Sequence, residues 1–242
     1  MKILNKLIKK HQHLLFLDFE GTQFSHELIA FGAIKVKLGR KNKIIHVSKG
    51  IKFYVKAHNP IGSYVKRLTS IDEDILEQKG ITYKEALEEI KKYCGKSFEK
   101  DFSFCFFGTH DLRILHKSFE NSPDADKKII DIITKNYIDV QAVLSMFVRD
   151  QNNNPLSLTH GLEFFNISLK GEPHDPLIDA IHLMHLYKGI LKNHDKLYSE
   201  YLRILPKQKT LPIPIKNVIN DLINGKTVTP NDFEKYVKDY IE

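Results

Sequence analysis

The order of the predicted elements in this 242-residue chain indicates an α/β fold with a mixed, five-stranded sheet flanked by helices. Three apolar segments of strand length come first and are joined by short turns, so we expect an antiparallel arrangement among them. Two further strand-like segments then alternate with amphipathic helices, which is typical of layered α/β proteins. The composition changes after Ile204, where a proline-rich stretch precedes two short helical patterns.

The first predicted strand, residues 14–22, contains two acids in an otherwise apolar run. Asp18 and Glu20 are two residues apart, so their side chains share one face of the strand. Two neighbouring carboxylates resist burial and repel each other, and a divalent cation such as Mg²⁺ would compensate them. Alternatively, the strand ends at Asp18 and Glu20 is solvated in the next turn.

The next two strands are residues 28–37 and residues 43–55, with a turn at 38–42. Residues 102–107 form a fourth apolar strand and residues 137–140 a short fifth one. Between them, Thr82 and Glu85 have the spacing of a capping box and predict a helix over residues 82–92.

Asp111 lies in the first turn of the helix predicted after the fourth strand. In α/β proteins functional groups gather beyond the carboxyl ends of strands, although an acid in a first turn also suits the helix dipole. In the segment 171–180, Asp175 and Pro176 predict a helix start, and His174 and Asp179 could both reach one point near it. Histidine can accept a proton from water near neutral pH; the alternative is a loop histidine beside an exposed helix acid.

The composition is that of a globular protein, with a net charge of +7. Residues 1–56 contain twelve lysines and arginines against three acids, a net charge of +9, which would attract a polyanionic substrate. The only two cysteines, Cys94 and Cys105, have no metal-binding spacing and fit a reducing, cytoplasmic location. No apolar run is long enough to span a membrane, and Asp18 interrupts the segment that would otherwise resemble a signal peptide.

The chain resembles the DEDDh family of 3′→5′ exonucleases over roughly residues 11–192. Asp18 and Glu20 match its first motif, Asp111 its second, and His174 with Asp179 its third, in the same order and structural contexts. The sister family has tyrosine four residues before the last aspartate, where this chain has Asp175. The Asp-Phe-Glu-Gly-Thr segment is similar to the sub-group that trims small RNAs and histone mRNA.

The resemblance implies a ribonuclease H-like fold and phosphodiester hydrolysis with two divalent ions, Mg²⁺ or Mn²⁺. Asp18 would contact both ions, Glu20 and Asp179 would complete one site, and Asp111 would hold the other. His174 would be the general base. Gly21, Thr22 and Phe24 follow the strand and are candidate contacts for the terminal nucleotide; alternatively, Phe24 is a buried aromatic residue.

These features predict an exonuclease that acts on 3′ ends of single-stranded nucleic acid, with RNA favoured over DNA. A catalytically inactive nucleic-acid-binding module of the same fold is one alternative. A proofreading exonuclease that acts with a DNA polymerase is another. We expect an exonuclease domain at residues 1–204, a proline-rich linker at 205–215, and a helical tail at 216–242 through which a protein partner could bind.

Overall fold

A computed structural model describes residues 2–168 and 171–241, and its centre is a mixed sheet of seven strands. The strand order is β5-β4-β2-β1-β6-β7, and β3 also pairs with β2. This arrangement confirms the predicted α/β class. The strands are β1 (His13–Gly21), β2 (Leu28–Leu38), β3 (Ile44–Val47), β4 (Ile51–Val55), β5 (Gly80–Ile81), β6 (Phe102–Phe106) and β7 (Tyr137–Asp139).

Helices cover both faces of this sheet. They are α1 (Lys2–Ile8), α2 (Ser63–Thr69), α3 (Glu73–Lys79), α4 (Tyr83–Cys94), α5 (His110–Asn121), α6 (Lys127–Lys135), α7 (Val140–Ser145), α8 (Leu158–Phe164), α9 (Pro176–Lys192), α10 (His194–Ile204), α11 (Ile213–Ile223) and α12 (Pro230–Ile241). None of the helices in these described ranges is long and apolar enough to cross a membrane.

Strand β1 is central because it pairs on both sides. It is antiparallel to β2, with Asp18 opposite Gly32, and parallel to β6. Strands β2 and β4 are antiparallel as well, so the first strands form the predicted antiparallel unit, and β6 and β7 continue the sheet in parallel. Parallel pairing of β1 and β6 brings their carboxyl ends to the same edge of the sheet.

The two faces of β1 serve two different cores. Leu15, Leu17 and Phe19 pack with α4, α5 and α6, whereas Leu14 and Phe16 pack with α7, α8 and α9. Since side chains alternate along a strand, Asp18 and Glu20 point toward the face covered by α9. Helix α4 has the predicted capping box between Thr82 and Glu85.

The sheet has two more strands than the sequence predicts. The predicted strand 43–55 is interrupted at residues 48–50, where Tyr93 Oη donates a hydrogen bond of 2.8 Å to the carbonyl oxygen of Lys49. Strands β3 and β4 pair with different parts of β2, and strand periodicity cannot reveal the contact that Tyr93, a residue distant in sequence, makes at the break. Strand β5, only two residues long, and helices α1 and α6 are also additions to the predicted elements.

The segment after α10 is less extended than predicted. Residues Leu205–Lys207 form a 3₁₀ helix, and α11 begins at Ile213 rather than at Lys216. Helix α12 begins at Pro230, as predicted, and contains no buried residue. The division into a domain, a linker and a tail stays a prediction.

Candidate active site

The carboxyl end of β1 supplies the first two acids of the site. Asp18 is partly buried, and the Glu20 side chain is 15% exposed. Both follow a buried run of leucine and phenylalanine that fixes the strand in the middle of the sheet. The position of these two carboxylates is therefore set by the core beneath them.

Gly32 lets α9 approach the sheet beside Asp18. A β-carbon at Gly32 would lie 2.1 Å from the Pro176 carbonyl carbon and 2.1 Å from the Leu177 nitrogen. The backbone of the first turn of α9 therefore rests directly on β2, next to the residue paired with Asp18. This close contact brings Asp179, one turn into α9, to the carboxyl end of β1.

Helix α5 adds the third acid. Asp111 lies in its first turn and is only 6% exposed. Its Oδ1 accepts a hydrogen bond of 2.8 Å from the backbone nitrogen of Phe19, which lies between the two acids of β1. This bond connects α5 to the strand end and fixes the orientation of the Asp111 carboxylate.

His174 lies just before α9, in a left-handed conformation with φ of 60°. Its Nδ1 is 4.0 Å from Glu20 Oε1, and its side chain is 43% exposed. Ligand atoms of Glu20, His174 and Asp179 all lie within 4.8 Å of one another. Two parts of the chain that are distant in sequence, the end of β1 and the start of α9, thus converge on one point.

All five predicted residues line one cleft with a volume of about 370 Å³. The cleft contains Asp18, Glu20, Asp111, His174 and Asp179, and its other lining residues are Phe19, Phe107, His110, Ser157, Leu158, Thr159, Pro173 and His182. The sequence does not indicate His182, because it lies within an apolar helix; its Nδ1 is 3.4 Å from Asp179 Oδ1.

The acids in this cleft favour protonation in the absence of a cation. Burial and the neighbouring carboxylates raise the pKa of Glu20 to about 8. Burial raises the pKa of Asp111 to about 7, although the hydrogen bond from Phe19 opposes this shift. Burial, and then the charges of Asp111 and Glu20, raise the pKa of Asp18 well above its usual range. Burial also raises the pKa of Asp179.

Such a cluster fits divalent metal binding. Carboxylate oxygens are the preferred ligands of Mg²⁺, and a bound cation reverses the electrostatic penalty that raises these pKa values. The carboxylate oxygens of Glu20 and Asp179 are close enough to share one ion, and a ring nitrogen of His174 lies within 4.8 Å of them. The residues present therefore fit the divalent ions that the sequence predicts.

Lys52 contributes a positive charge beside this cluster. Its Nζ is 2.9 Å from Asp175 Oδ2, and Asp175 caps α9 by accepting hydrogen bonds from Leu177 and Ile178. The charge of Lys52 also opposes the rise in the pKa of Glu20. The alternating pattern of β4 does not distinguish Lys52 from a solvated lysine, and only its tertiary partner reveals its position at the site.

The turn between β1 and β2 contains the predicted substrate contacts. Phe24 is 80% exposed, so the alternative of a buried aromatic residue is wrong. Thr22 is buried, and its hydroxyl accepts a hydrogen bond of 2.9 Å from the backbone nitrogen of Glu27. A β-carbon at Gly21 would clash with Ile114 of α5. Contact of these three residues with a nucleotide stays a prediction.

Comparisons with solved structures agree with this fold. The nuclease domain of 3′hExo, a DEDDh family member bound to rAMP, superposes with a TM-score of 0.62 and 18% identity, over 76% of this chain and 94% of that chain. A 3′-exonuclease that recognises the 3′ end of the histone mRNA stem-loop gives a TM-score of 0.61 and 18% identity, over 76% and 84% of the two chains. Escherichia coli exonuclease I in complex with dT13 gives 0.59 and 16%, over 79% and 43%.

A comparison with curated protein sequences found no match. The structural similarity confirms the predicted ribonuclease H-like fold and the predicted resemblance to DEDDh exonucleases. The family model RNase T, described as exonuclease, matches residues 15–187, which include all five predicted site residues. The chain therefore belongs to this exonuclease family, a family of nucleases.

Proposed function

We propose that this protein is a metal-dependent 3′→5′ exonuclease that removes nucleotides from single-stranded nucleic acid, with RNA favoured over DNA. The observation that carries this proposal is the convergence of four carboxylates and His174 in a single cleft at the end of β1. The raised pKa values of the acids support a site that is completed by cations. Membership of the exonuclease family supports the reaction class.

The four acids would divide the binding of two divalent ions among them. Asp18 would be shared by two divalent ions, Glu20 and Asp179 would complete one ion site, and Asp111 would hold the other. Bound ions of this kind neutralise the phosphate and stabilise the attacking and leaving oxygens of an in-line displacement. The core beneath β1 and the hydrogen bond from Phe19 to Asp111 hold these carboxylates in place before substrate arrives.

His174 would remove the proton from the attacking water. It lies at the edge of the cleft, within 4.0 Å of Glu20, and its side chain is 43% exposed, so it can exchange that proton with solvent. Asp175, the next residue, is held by Lys52 and by the first turn of α9. These contacts hold the backbone next to His174, so the imidazole has a defined orientation toward the cleft.

The exposed ring of Phe24 suits stacking on a nucleobase, which contributes about 1–3 kcal/mol per base in single-strand complexes. Gly21 and Thr22 would shape the turn that carries it. The rAMP and histone mRNA complexes of two structurally similar exonucleases support RNA as the favoured substrate. The dT13 complex of exonuclease I supports single-stranded DNA as the alternative.

Two other functions are alternatives. An inactive binding module would bind nucleic acid in the same cleft without hydrolysis. A proofreading exonuclease would need a polymerase partner, and the exposed apolar residues Leu222, Ile223 and Phe233 of the C-terminal helices are suited to such a contact. The proofreading function predicts faster removal of a mismatched 3′ nucleotide from a DNA primer than from single-stranded RNA.

A parallel digestion assay tests these functions. 5′-labelled single- and double-stranded RNA and DNA, including a mismatched primer, are incubated with Mg²⁺, Mn²⁺ or EDTA. We expect ladders that shorten from the 3′ end, fastest on single-stranded RNA and absent with EDTA. Binding without cleavage under every condition would instead identify an inactive module.

Variants of the acids test the metal ligands. Asp18→Ala, Asp111→Ala and Asp179→Ala should each lower the rate more than about 10²-fold, because several kcal/mol of transition-state stabilisation are lost. Asp74→Ala, which changes an exposed acid in the first turn of α3, is the matched control. Wild-type rates in all three variants, with circular dichroism showing intact folds, would contradict the assignment.

A further inference from the structure

A second cleft, lined by three lysines, lies at the far end of α9. Lys43, Lys188 and Lys192 line it together with Ile44 and Leu191, and its volume is about 330 Å³. We call these three lysines the lysine pocket. The segment that contains Lys43 is fixed to α9 because Tyr187 Oη donates a hydrogen bond of 3.0 Å to the carbonyl oxygen of Asn42. The pocket is thus a formed feature of the fold.

The positive charges of the lysine pocket lack acidic partners in the part of the chain that the structure describes. Within the described residues, no ion pair or side-chain hydrogen bond involves the ammonium group of Lys43, Lys188 or Lys192, and none of the lining residues is acidic. Lys188 is partly buried, and its pKa is lowered by burial and by the charge of Lys192. A fully solvated surface lysine would be neither partly buried nor lowered in pKa. An anion bound in the pocket would offset both the burial of the Lys188 charge and its repulsion by Lys192.

The lysine pocket and the acidic cleft occupy opposite ends of the same helix. Lys188 and Lys192 follow Asp179 by nine and thirteen residues, which corresponds to about 14 and 20 Å along the axis of a helix. Ile181, His185, Lys188 and Lys192 have the spacing of one helical face, and each remains at least partly exposed. Lys188 and Lys192 lie about 180° and 220° around the helix axis from Asp179, so a strand must also pass around the helix. At the rise of about 3.4 Å per nucleotide of a helical strand, the axial distance alone spans roughly four to six nucleotides, which is the minimum length that reaches the pocket.

We propose that the lysine pocket binds backbone phosphates of the nucleic-acid substrate, upstream of the 3′ nucleotide in the acidic cleft. The proposal rests on the proposed exonuclease function. Phosphate contacts by lysine are independent of base sequence and position a strand without selecting it. The expected consequence is a dependence on substrate length: a strand long enough to reach the pocket gains affinity that a trinucleotide lacks.

Two triple variants with the same change in charge test this proposal. One is Lys43→Glu with Lys188→Glu and Lys192→Glu. The control is Lys79→Glu with Lys96→Glu and Lys127→Glu, three exposed lysines on other surfaces. KM is measured with Mn²⁺ for single-stranded RNA of three and of twelve nucleotides that share the same 3′ sequence. Thermal denaturation verifies that each variant folds. If Lys188→Glu prevents folding, the double variant Lys43→Ala with Lys192→Ala replaces the triple variant in the same assay.

We expect the pocket variant to reduce the KM advantage of the 12-mer over the trinucleotide about tenfold, whereas the control variant keeps this advantage. The slope of log affinity for the 12-mer against log salt concentration, measured in EDTA, should decrease by about 2, because three contacts to a single strand each contribute roughly 0.7. Equal length dependence in the pocket and control variants would overturn the proposal.

The outcomes separate this proposal from the proposed function. If the wild-type protein shortens the 12-mer from its 3′ end and the pocket variant does so with the same KM ratio, only the lysine pocket is wrong. If the wild-type protein cleaves and binds no RNA or DNA of either length, both proposals fail. Binding of anionic phospholipid vesicles that is lost in the pocket variant, with no change in the KM ratio for RNA, would assign the pocket to a membrane surface and overturn the nucleic-acid proposal.

Discussion

Replacement of Gly32 by alanine tests whether close contact between α9 and β2 assembles the active site. The added β-carbon would lie 2.1 Å from the backbone of Pro176 and Leu177, whereas ordinary contact begins at 3.4 Å. The first turn of α9 must therefore move away from the sheet by more than 1 Å. Because these atoms are backbone and not the tip of a flexible side chain, no rotamer change can absorb the clash.

This displacement would separate Asp179 and His174 from the carboxylates of β1. A misplacement of about 1 Å in a catalytic group can cost about 10²-fold in rate, so we expect kcat/KM on single-stranded RNA with Mn²⁺ to fall by about that factor. Overpacking of a core typically costs about 1–3 kcal/mol. For a protein of this size, a loss of that order lowers Tm by roughly 2–12 °C.

Gly39→Ala is the matched control. Alanine at Gly39, in the β2–β3 connection, also introduces a tight contact. Its new β-carbon would meet only the side chain of Ile45, at 2.7 Å from Cγ2, and neither residue lines the acidic cleft. We expect Gly39→Ala to keep the wild-type kcat/KM. The reasoning is refuted if Gly32→Ala folds with a kcat/KM within threefold of the control, since α9 would then not need its contact with the sheet.

Two further predictions concern the charges of the site. The pKa of Glu20 is raised from 4.5 to about 8 in the folded, metal-free protein. The native state therefore holds this proton more tightly than the unfolded chain does. The stability that results is complete below pH 4.5 and is lost as the pH rises through 8. Between pH 5 and pH 8.5 the metal-free protein should lose unfolding free energy on the order of a few kcal/mol, and its Tm should fall accordingly. Mn²⁺ should raise Tm more at pH 8.5 than at pH 5. An equal increase in Tm at both pH values would contradict this linkage. Lys52→Ala should lower kcat about tenfold and raise the Mn²⁺ concentration needed for half-maximal activity, because Asp175 loses its 2.9 Å partner and Glu20 a favourable charge. Lys52→Arg should retain activity, Lys49→Ala is the control, and equal activity of Lys52→Ala and Lys49→Ala would exclude a positioning role.

Local patterns determined the elements that carry the chemistry. The spacing of Asp18 and Glu20 places both acids on one face of a strand, because side chains alternate along an extended chain. The Asp175-Pro176 pair predicted the start of α9, since proline fits the first helical position and aspartate caps it. The order of these acids along the chain supported the resemblance to an exonuclease family, to which the chain belongs.

Some limits of the sequence prediction have the same physical cause. At the break between β3 and β4, the carbonyl oxygen of Lys49 accepts a hydrogen bond from Tyr93, which is distant in sequence. The position of Lys52 at the site depends on Asp175, more than a hundred residues later. Neither contact can be recognised from the periodicity of β4, because a partly exposed strand accommodates a lysine whether or not the lysine has an acidic partner.

The sequence by itself therefore determined the strand–helix order, the α/β class and the identity of the five residues in the acidic cleft. Only the tertiary structure decided how close they come together. Gly32 removes the side chain that would keep α9 off β2, and the Phe19 amide orients Asp111. The physical reason is that secondary structure follows from interactions within a few residues, whereas the geometry of a site depends on packing between elements whose separation in sequence carries no information about distance in space.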